Sequence, residues 1–185
     1  MRVISGKAKG TRLASVKGLS TRPTGDRVKE ALFSMIAPGL AGSSFLDLYA
    51  GSGAIGLEAL SRGAESVVWV DANRACGDQI KKNLARTNLT GGVIYTSDVF
   101  SALKRLDKRG EQFDFIFLDP PYDQGLVEKT LACLAELSLL KEDGIIIAEA
   151  SKKEEAPLGV SKLCLEKIRT YGETVLLFYE WECSE

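Results

Sequence analysis

The sequence contains no histidine among its 185 residues. This absence excludes Ser-His-Asp and Cys-His nucleophilic catalysis, together with histidine-ligated metal centres. An enzyme with this sequence must take its acid–base and positioning groups from carboxylates, lysine, tyrosine, cysteine or the backbone. Carboxylates alone could still hold Mg²⁺, but no clustered spacing demands it, and we predict no metal site.

Long apolar runs and paired cysteines are also missing. No run approaches the ~20 residues that a membrane-spanning helix needs. The opening residues, MRVISGK, lack a hydrophobic signal segment. Four scattered cysteines without a C-x-x-C motif favour free thiols in a reducing compartment. We therefore expect a cytoplasmic protein that makes no membrane contact.

Positive charge is concentrated at the N-terminus, although the whole chain has a net charge of −1. Residues 1–30 carry eight basic and two acidic side chains, so the remainder is acidic overall. This split predicts a basic arm of residues 1–30 that contacts nucleic-acid phosphates, ahead of one domain of residues 31–185. A solvated tail is the alternative. The basic residues that we expect to contact the substrate are Arg2, Lys7, Lys9, Arg12, Arg22 and Arg27.

From residue 44 onward, apolar runs alternate with amphipathic stretches. This alternation predicts an α/β fold with a mostly parallel sheet and helices on both faces. The predicted strands are residues 44–48, 66–71, 93–95, 113–118 and 145–148, and an antiparallel hairpin of residues 164–171 and 175–181 closes the sheet. Residues 152–159 are predicted to form a solvated loop.

The N-terminal third is predicted to be less regular. Two short extended runs, residues 2–4 and 11–13, predict a small hairpin. This hairpin has too few apolar residues for a core of its own, so it must dock or become ordered on a partner. A helix is predicted from about Asp26 until Pro38-Gly39 ends it.

A glycine-rich turn joins the first of the regular strands to its helix. The sequence GSGAIG at residues 51–56 matches the G-x-G-x-x-G pattern, and Asp71 ends the next strand at the expected offset of about 20 residues. Glycines let the backbone bend tightly and approach a ligand closely, while the helix start offers N–H groups. The combination predicts a nucleoside-type ligand rather than a plain tight turn.

The sequence Asp119-Pro120-Pro121-Tyr122 follows the fourth strand. Two prolines fix a rigid, extended turn whose carbonyl groups stay available as acceptors. A carboxylate and a carbonyl can accept N–H bonds from a flat group that bears an amine, and the tyrosine ring can stack on it. Further acids, Asp71, Asp98 and Glu149, fall at other strand ends, where ligands of open α/β sheets bind.

These motifs resemble those of class I S-adenosylmethionine-dependent methyltransferases. LDLYAGSG at residues 46–53 is similar to their first motif, and DPPY at residues 119–122 to the motif that methylates amino groups. More narrowly, RVISG at 2–6, RPTGDRVKEALF at 22–33 and GSGAIGLEALSRGA at 51–64 resemble the bacterial RsmD family. The resemblance implies a Rossmann-like fold and methylation of a guanine N2 amine in 16S ribosomal RNA. We expect this RNA to be part of an assembling small ribosomal subunit, and the protein to act as a monomer.

The resemblance also implies roles for individual residues. Asp119, the Pro120 carbonyl and Tyr122 would position the amine of a guanine that has left its stack. Asp71 would hold the ribose hydroxyls of S-adenosylmethionine, and Asp98 would accept from its adenine amine. The remaining residues expected to bind the cofactor, several of them at its methionine end, are Asp47, Ala50, Gly51, Ser52, Gly53 and Ala72.

Other functions stay open at this point. The same chemistry could serve adenine N6 in DNA or RNA, or a glutamine amide in a protein, although the chain has no room for a DNA target-recognition insertion. A nicotinamide-dependent oxidoreductase would need a hydride-transfer site, and the missing histidine removes its commonest proton donor. A non-catalytic RNA-binding module would leave the cofactor pocket empty, so a cofactor titration distinguishes it.

Overall fold

The fold is described from a computed structural model, which describes residues 1–16, 25–122, 124–154 and 156–182. The predicted substrate contact Arg22 lies outside these residues. In the described part of the chain, no helix is long and apolar enough to cross a membrane.

One eight-stranded sheet organises the molecule, in the order β3-β2-β1-β4-β5-β8-β7-β6. Strands β1 to β5 run parallel to one another, and β6 to β8 complete the sheet in antiparallel pairings, the first of them between β5 and β8. Their bounds are β1 Ser44–Leu48, β2 Ser66–Asp71, β3 Gly92–Thr96, β4 Phe113–Leu118, β5 Leu140–Ser151, β6 Gly159–Val160, β7 Leu163–Tyr171 and β8 Thr174–Trp181. The predicted α/β fold with its C-terminal antiparallel hairpin is confirmed.

Helices cover both faces of the sheet, and each face has its own apolar core. Their bounds are α1 Asp26–Met35, α2 Ala37–Leu40, α3 Ala54–Ser61, α4 Arg74–Thr87, α5 Val99–Asp107 and α6 Leu126–Ala135. Helices α1 to α4 pack on the face that carries Phe45 and Trp69. Helices α5 and α6 pack on the other face, which carries Leu46 and Ile116.

The structure corrects three local predictions. Pro38 does not end the helical segment, because it lies in the first turn of α2, where its fixed φ fits and its missing N–H costs nothing. Strand β5 begins five residues earlier than position 145, at Leu140, because Leu140 pairs with Phe113 across a register shift. The loop predicted at residues 152–159 also reaches into β6, a two-residue strand that pairs with β7.

The N-terminal hairpin forms as predicted and docks on the body of the protein. Arg2 and Arg12 are bridged in antiparallel fashion. Val3, Ala8 and Leu13 are buried in the core that α1, α3 and α4 cover. The predicted boundary between arm and domain, at residue 30, falls inside α1, and the division itself stays a prediction.

Candidate active site

A cavity of about 570 Å³ lies at the carboxyl ends of the parallel strands. This is where the doubly wound topology places ligands. Its lining includes seven of the residues expected at the site, namely Gly51, Asp71, Ala72, Asp98, Asp119, Pro120 and Tyr122. The structure therefore brings the glycine turn and the Asp-Pro-Pro-Tyr turn to one place, although 68 residues of chain separate Gly51 from Asp119.

The glycine turn has a backbone that only a few residue types adopt readily. Gly51 and Gly53 have φ angles of 55° and 76°, in the left-handed region that glycine tolerates without steric cost. Tyr49, just before them, has a φ of 58°, which is unusual for a bulky residue. The turn is thus held open toward the cavity at some cost, and strain of this kind is concentrated at functional sites.

Asp71 fixes the glycine turn from the neighbouring strand. Its Oδ2 atom accepts a hydrogen bond from the Gly51 N–H at 2.8 Å, and its Oδ1 atom accepts one from the Asn73 N–H at 2.8 Å. A carboxylate offers about four lone-pair sites, so Asp71 can also accept hydrogen bonds from a ligand. The hydroxyls of a ribose are suitable donors.

Asp98 lies at the N-terminus of α5 on the cavity rim. Its side chain accepts a hydrogen bond from the Ser101 N–H at 2.9 Å, as a helix cap does. That hydrogen bond lowers the pKa of Asp98 below its usual range, so the carboxylate stays charged. It can accept a further N–H from a ligand such as an adenine amine. Phe100, two residues on, also lines the cavity, and its ring was not anticipated from the sequence.

Asp47 lies behind the cavity rather than in its lining. It is 2% exposed, and its Oδ2 atom accepts a hydrogen bond from the Gly56 N–H in α3 at 2.9 Å. Burial, with a further contribution from the charge of Asp71, raises the pKa of Asp47 to about 8. Asp47 thus ties the start of α3 to β1. The structure likewise leaves Ala50, Ser52 and Gly53 out of the cavity lining, and their roles stay predictions.

Gly56, in the helix that follows the glycine turn, is packed too closely to accept a larger side chain, which leads to a prediction about stability. A Cβ atom on Gly56 would lie 2.2 Å from Trp69 Nε1 and 2.6 Å from Val67 Cγ1. Replacing Gly56 with Ala should therefore lower the free energy of unfolding by about 1–3 kcal/mol, despite the better helix propensity of alanine. Urea unfolding measures it. Gly25→Ala is the matched control, because among the described residues nothing lies within 4 Å of its added Cβ; equal midpoints for the two variants would contradict the prediction.

The Asp-Pro-Pro-Tyr turn supplies the other wall of the cavity. Burial, together with the negative charges of Glu149 and Asp47, raises the pKa of Asp119 well above its usual value. Tyr122 is 37% exposed, which leaves part of its ring open to a ligand. Glu149 is buried within β5 rather than at its end, directly after Ala148, which pairs with Leu118 at the end of β4. The sequence placed Glu149 among the strand-end acids, but gave no sign that it would bear on Asp119.

Five of the six predicted substrate contacts on the arm lie among the described residues, and these five are exposed. Arg2, Lys7, Lys9 and Arg12 point away from the apolar core, while Arg27 is exposed on α1. Arg2 makes one ion pair, Nε to Asp26 Oδ2 at 3.1 Å. This pattern, with apolar residues inward and cations outward, leaves the cations available to a polyanion.

Comparison with known proteins places the chain in a family. Residues 1–180 match the family described as conserved hypothetical protein 95. The Bacillus subtilis protein named "Putative rRNA methyltransferase YlbH" is 44% identical over 97% of this chain and 98% of its own length. Ribosomal RNA small subunit methyltransferase D of Escherichia coli K12 is 32% identical over 100% of this chain and 91% of its own. The chain belongs to the RsmD family.

A solved structure extends the family likeness to three dimensions. The Escherichia coli structure titled "Putative methyltransferase yhhF" superposes on this RsmD-family chain with a TM-score of 0.84 and 33% identity, over 100% of this chain and 99% of that one. The predicted Rossmann-like class I methyltransferase fold is thereby confirmed. The match covers the whole of this chain, so it includes the residues of the docked hairpin.

Proposed function

We propose that this chain transfers a methyl group from S-adenosylmethionine to the exocyclic N2 amine of a guanine in 16S ribosomal RNA. One observation supports it most: the Asp119-Pro120-Pro121-Tyr122 turn and the Gly51–Asp71 pair line the same cavity. The Asp-Pro-Pro-Tyr turn suits a flat group with an amine, and the Gly51–Asp71 pair suits a nucleoside. The names of the relatives, ribosomal RNA methyltransferases, agree with this reading.

The cofactor would lie along the strand ends. Asp71 would accept from the ribose hydroxyls, Asp98 from the adenine amine, and Gly51 to Gly53 would face the methionine end, with Asp47 and Ala50 behind them. When bound, S-adenosylmethionine supplies an electrophilic methyl group on its sulfonium. The volume of about 570 Å³ falls within the ~300–1,000 Å³ of typical small-molecule sites.

The target base would be held by the other wall of the cavity. Asp119 and the Pro120 carbonyl would accept the two N–H bonds of the amine, so that its lone pair points at the methyl group, and Tyr122 would stack on the ring. Holding the amine in this orientation is the main contribution that the residues make. Once the amine carried the methyl group supplied by the cofactor in place of its bond to sulfur, it would release one proton, to the Asp119 carboxylate or to water.

The arm would hold the RNA backbone. We propose phosphate contacts for Arg2, Lys7, Lys9, Arg12 and Arg27, in a protein that acts as a cytoplasmic monomer on an assembling small ribosomal subunit. Because the target base must leave its stack, backbone contacts on the flanking nucleotides would hold the strand while the base enters the cavity.

Charge removal on the arm tests these contacts. Replacing Lys7, Lys9 and Arg12 together with Ala should weaken RNA binding and reduce the slope of log K against log salt by about 2–3, since each phosphate contact contributes ~0.7–0.9. A fluorescence titration at several salt concentrations measures the slope. Lys104, Arg105 and Lys108, exposed on or just after α5 on the opposite face, provide the matched triple control. Equal slopes for the two triple variants would reassign the arm to a solvated surface.

Product analysis tests the reaction itself. The protein is incubated with methyl-labelled S-adenosylmethionine and small ribosomal subunits from a strain that lacks the enzyme, and the labelled nucleoside is identified by mass spectrometry. We expect N2-methylguanosine. Labelled N6-methyladenine would move the function to adenine, and absence of label despite cofactor binding would reject ribosomal RNA as the substrate.

A further inference from the structure

Asn83 connects the docked arm to the glycine turn. This residue lies on α4 and is 0% exposed. Its Oδ1 atom accepts from the Ala14 N–H at 3.0 Å, and its Nδ2 atom donates to the Ala14 carbonyl at 2.9 Å. The same Nδ2 atom donates to the Ser52 carbonyl at 3.0 Å. One buried amide therefore holds the arm on one side and the middle of the glycine turn on the other.

The glycine turn is held by hydrogen bonds at two points, and the Ser52 carbonyl is the one farther from the cavity. At the front, the Gly51 N–H donates to Asp71 in the cavity wall. Behind, Ser52 is held by Asn83, and its hydroxyl contacts the sulfur of Met1, the first residue of the arm, at 3.5 Å. The arm and the glycine turn thus share an anchor, although no described residue of the arm lines the cavity.

The amide is the side chain that this position requires. Two carbonyl groups converge on Nδ2, while Oδ1 faces the Ala14 N–H and the Gln79 Nε2 at 3.2 Å. All of its hydrogen-bonding groups are used. A carboxylate there would place oxygen against two carbonyl oxygens, and an alanine would leave buried polar groups without partners, which is costly in a protein interior.

We propose that Asn83 is a positioning residue that makes the docked arm part of the cofactor site. It holds the Ser52 carbonyl, and so the Gly51–Gly53 backbone, in the conformation that meets the cofactor. Its own side chain is fixed by the arm at Ala14. This proposal rests on the proposed function in one respect, that the ligand of the turn is S-adenosylmethionine.

Two substitutions test the connection from its two ends. Asn83→Asp replaces the Nδ2 donor, which faces the carbonyl groups of Ser52 and Ala14, with an oxygen that accepts. Ala14→Pro removes the N–H that fixes Asn83 and lies in the arm, outside the cavity lining. We expect each to raise the dissociation constant of S-adenosylhomocysteine by about tenfold, because one well-placed buried hydrogen bond is worth about that factor. Gln79→Ala is the matched control, since it removes the remaining partner of Asn83 without touching the arm or the turn; its constant should stay within about twofold.

Calorimetric titration with S-adenosylhomocysteine, at a temperature where circular dichroism shows every variant folded, gives the constants. A merely structural role would lower the melting temperature and leave the constant unchanged, and that result for Asn83→Asp would overturn the proposal. If Asn83→Asp does not fold, an unchanged constant for Ala14→Pro overturns it instead. A wild-type protein that binds no S-adenosylhomocysteine would contradict the proposed function, and this proposal with it.

Discussion

Turnover should fall by at least about a hundredfold when Asp119 is replaced with Ala, while the cofactor dissociation constant stays within a few-fold. The loss is this large because removing a preorganised group at the reacting centre typically costs ~10²–10³ in rate. Asp119 lines the cavity just after β4, whereas Asp71, which meets the glycine turn, ends β2, and β1 lies between these two strands. The substitution should therefore spare cofactor binding.

Single-turnover methylation and a cofactor titration measure the two quantities. Asp78→Ala, an exposed acid on α4, is the control for loss of one negative charge. Turnover of Asp119→Ala near that of the wild type would remove Asp119 from the mechanism. Asp119→Asn then distinguishes its roles, because an amide oxygen can still accept one N–H but cannot take up the proton.

The raised pKa of Asp119 adds a pH dependence to this prediction. The ionised carboxylate accepts an N–H bond more strongly than the protonated carboxyl group does, and only the ionised form can take up a proton, while burial with the charges of Glu149 and Asp47 favours the protonated form. The rate should therefore fall as the pH drops through this raised pKa, at higher pH than an ordinary aspartate titrates. Asp119→Asn should lack this acid limb. A wild-type rate that is independent of pH down to the usual aspartate range would contradict it.

The sequence predicted the central strands well because they are buried on both faces. Strands β1, β2 and β4 are continuous apolar runs, and their predicted bounds agree with the structure. Strand β5 was predicted too short, because its first half, LKEDG, has the composition of a turn and is held in the sheet by pairing with β4. Pairing across the sheet is a tertiary effect that local propensity does not include.

Some of the residues predicted for the candidate site line the cavity and others do not, and the difference depends on where each residue lies along its strand. Acids at the very ends of strands, such as Asp71 and Asp119, line the cavity. Asp47 precedes the end of β1, so its side chain lies among those packed under α3, and it meets the Gly56 N–H instead. Glu58 and Asn83 gave no signal as helix polar residues, because their hydrogen-bond partners in the arm, such as Ser5 and Ala14, are 53 or more residues away in sequence.

The second large effect that we expect is a loss of stability when Glu58 is replaced. It lies on α3 with 0% exposure, and its two oxygens accept from the Ile4 N–H at 2.8 Å and the Ser5 N–H at 2.9 Å. The same carboxylate contacts Lys29 Nζ at 3.4 Å and Arg62 Nε at 2.8 Å. Burial lowers the pKa of Lys29, and the charge of Glu58 opposes that shift. The carboxylate thus holds the arm and compensates a buried ammonium group.

Replacing Glu58 with Ala should lower the free energy of unfolding by about 3–5 kcal/mol, because removal of one partner leaves the other charge buried and uncompensated. Urea unfolding measures the loss, and Glu65→Ala, an exposed acid shortly after the same helix, is the control. Hydrogen exchange at Ile4 and Ser5 adds a local reading, since both amides lose their acceptor and should exchange faster. A loss below about 1 kcal/mol would contradict the assignment.

A double variant separates the energy of the ion pair from the cost of breaking it. Lys29→Met with Glu58→Gln removes both full charges, while the amide oxygen of glutamine can still accept from one arm N–H. Because a buried pair replaced by neutral groups of similar volume is often near neutral in stability, this variant should recover much of the loss seen in Glu58→Ala. Recovery of stability together with slow exchange at Ile4 would assign the Glu58→Ala loss to the uncompensated Lys29 charge. Recovery with fast exchange would mean that the body regains its stability while the arm, and with it the rear support of the glycine turn, comes loose.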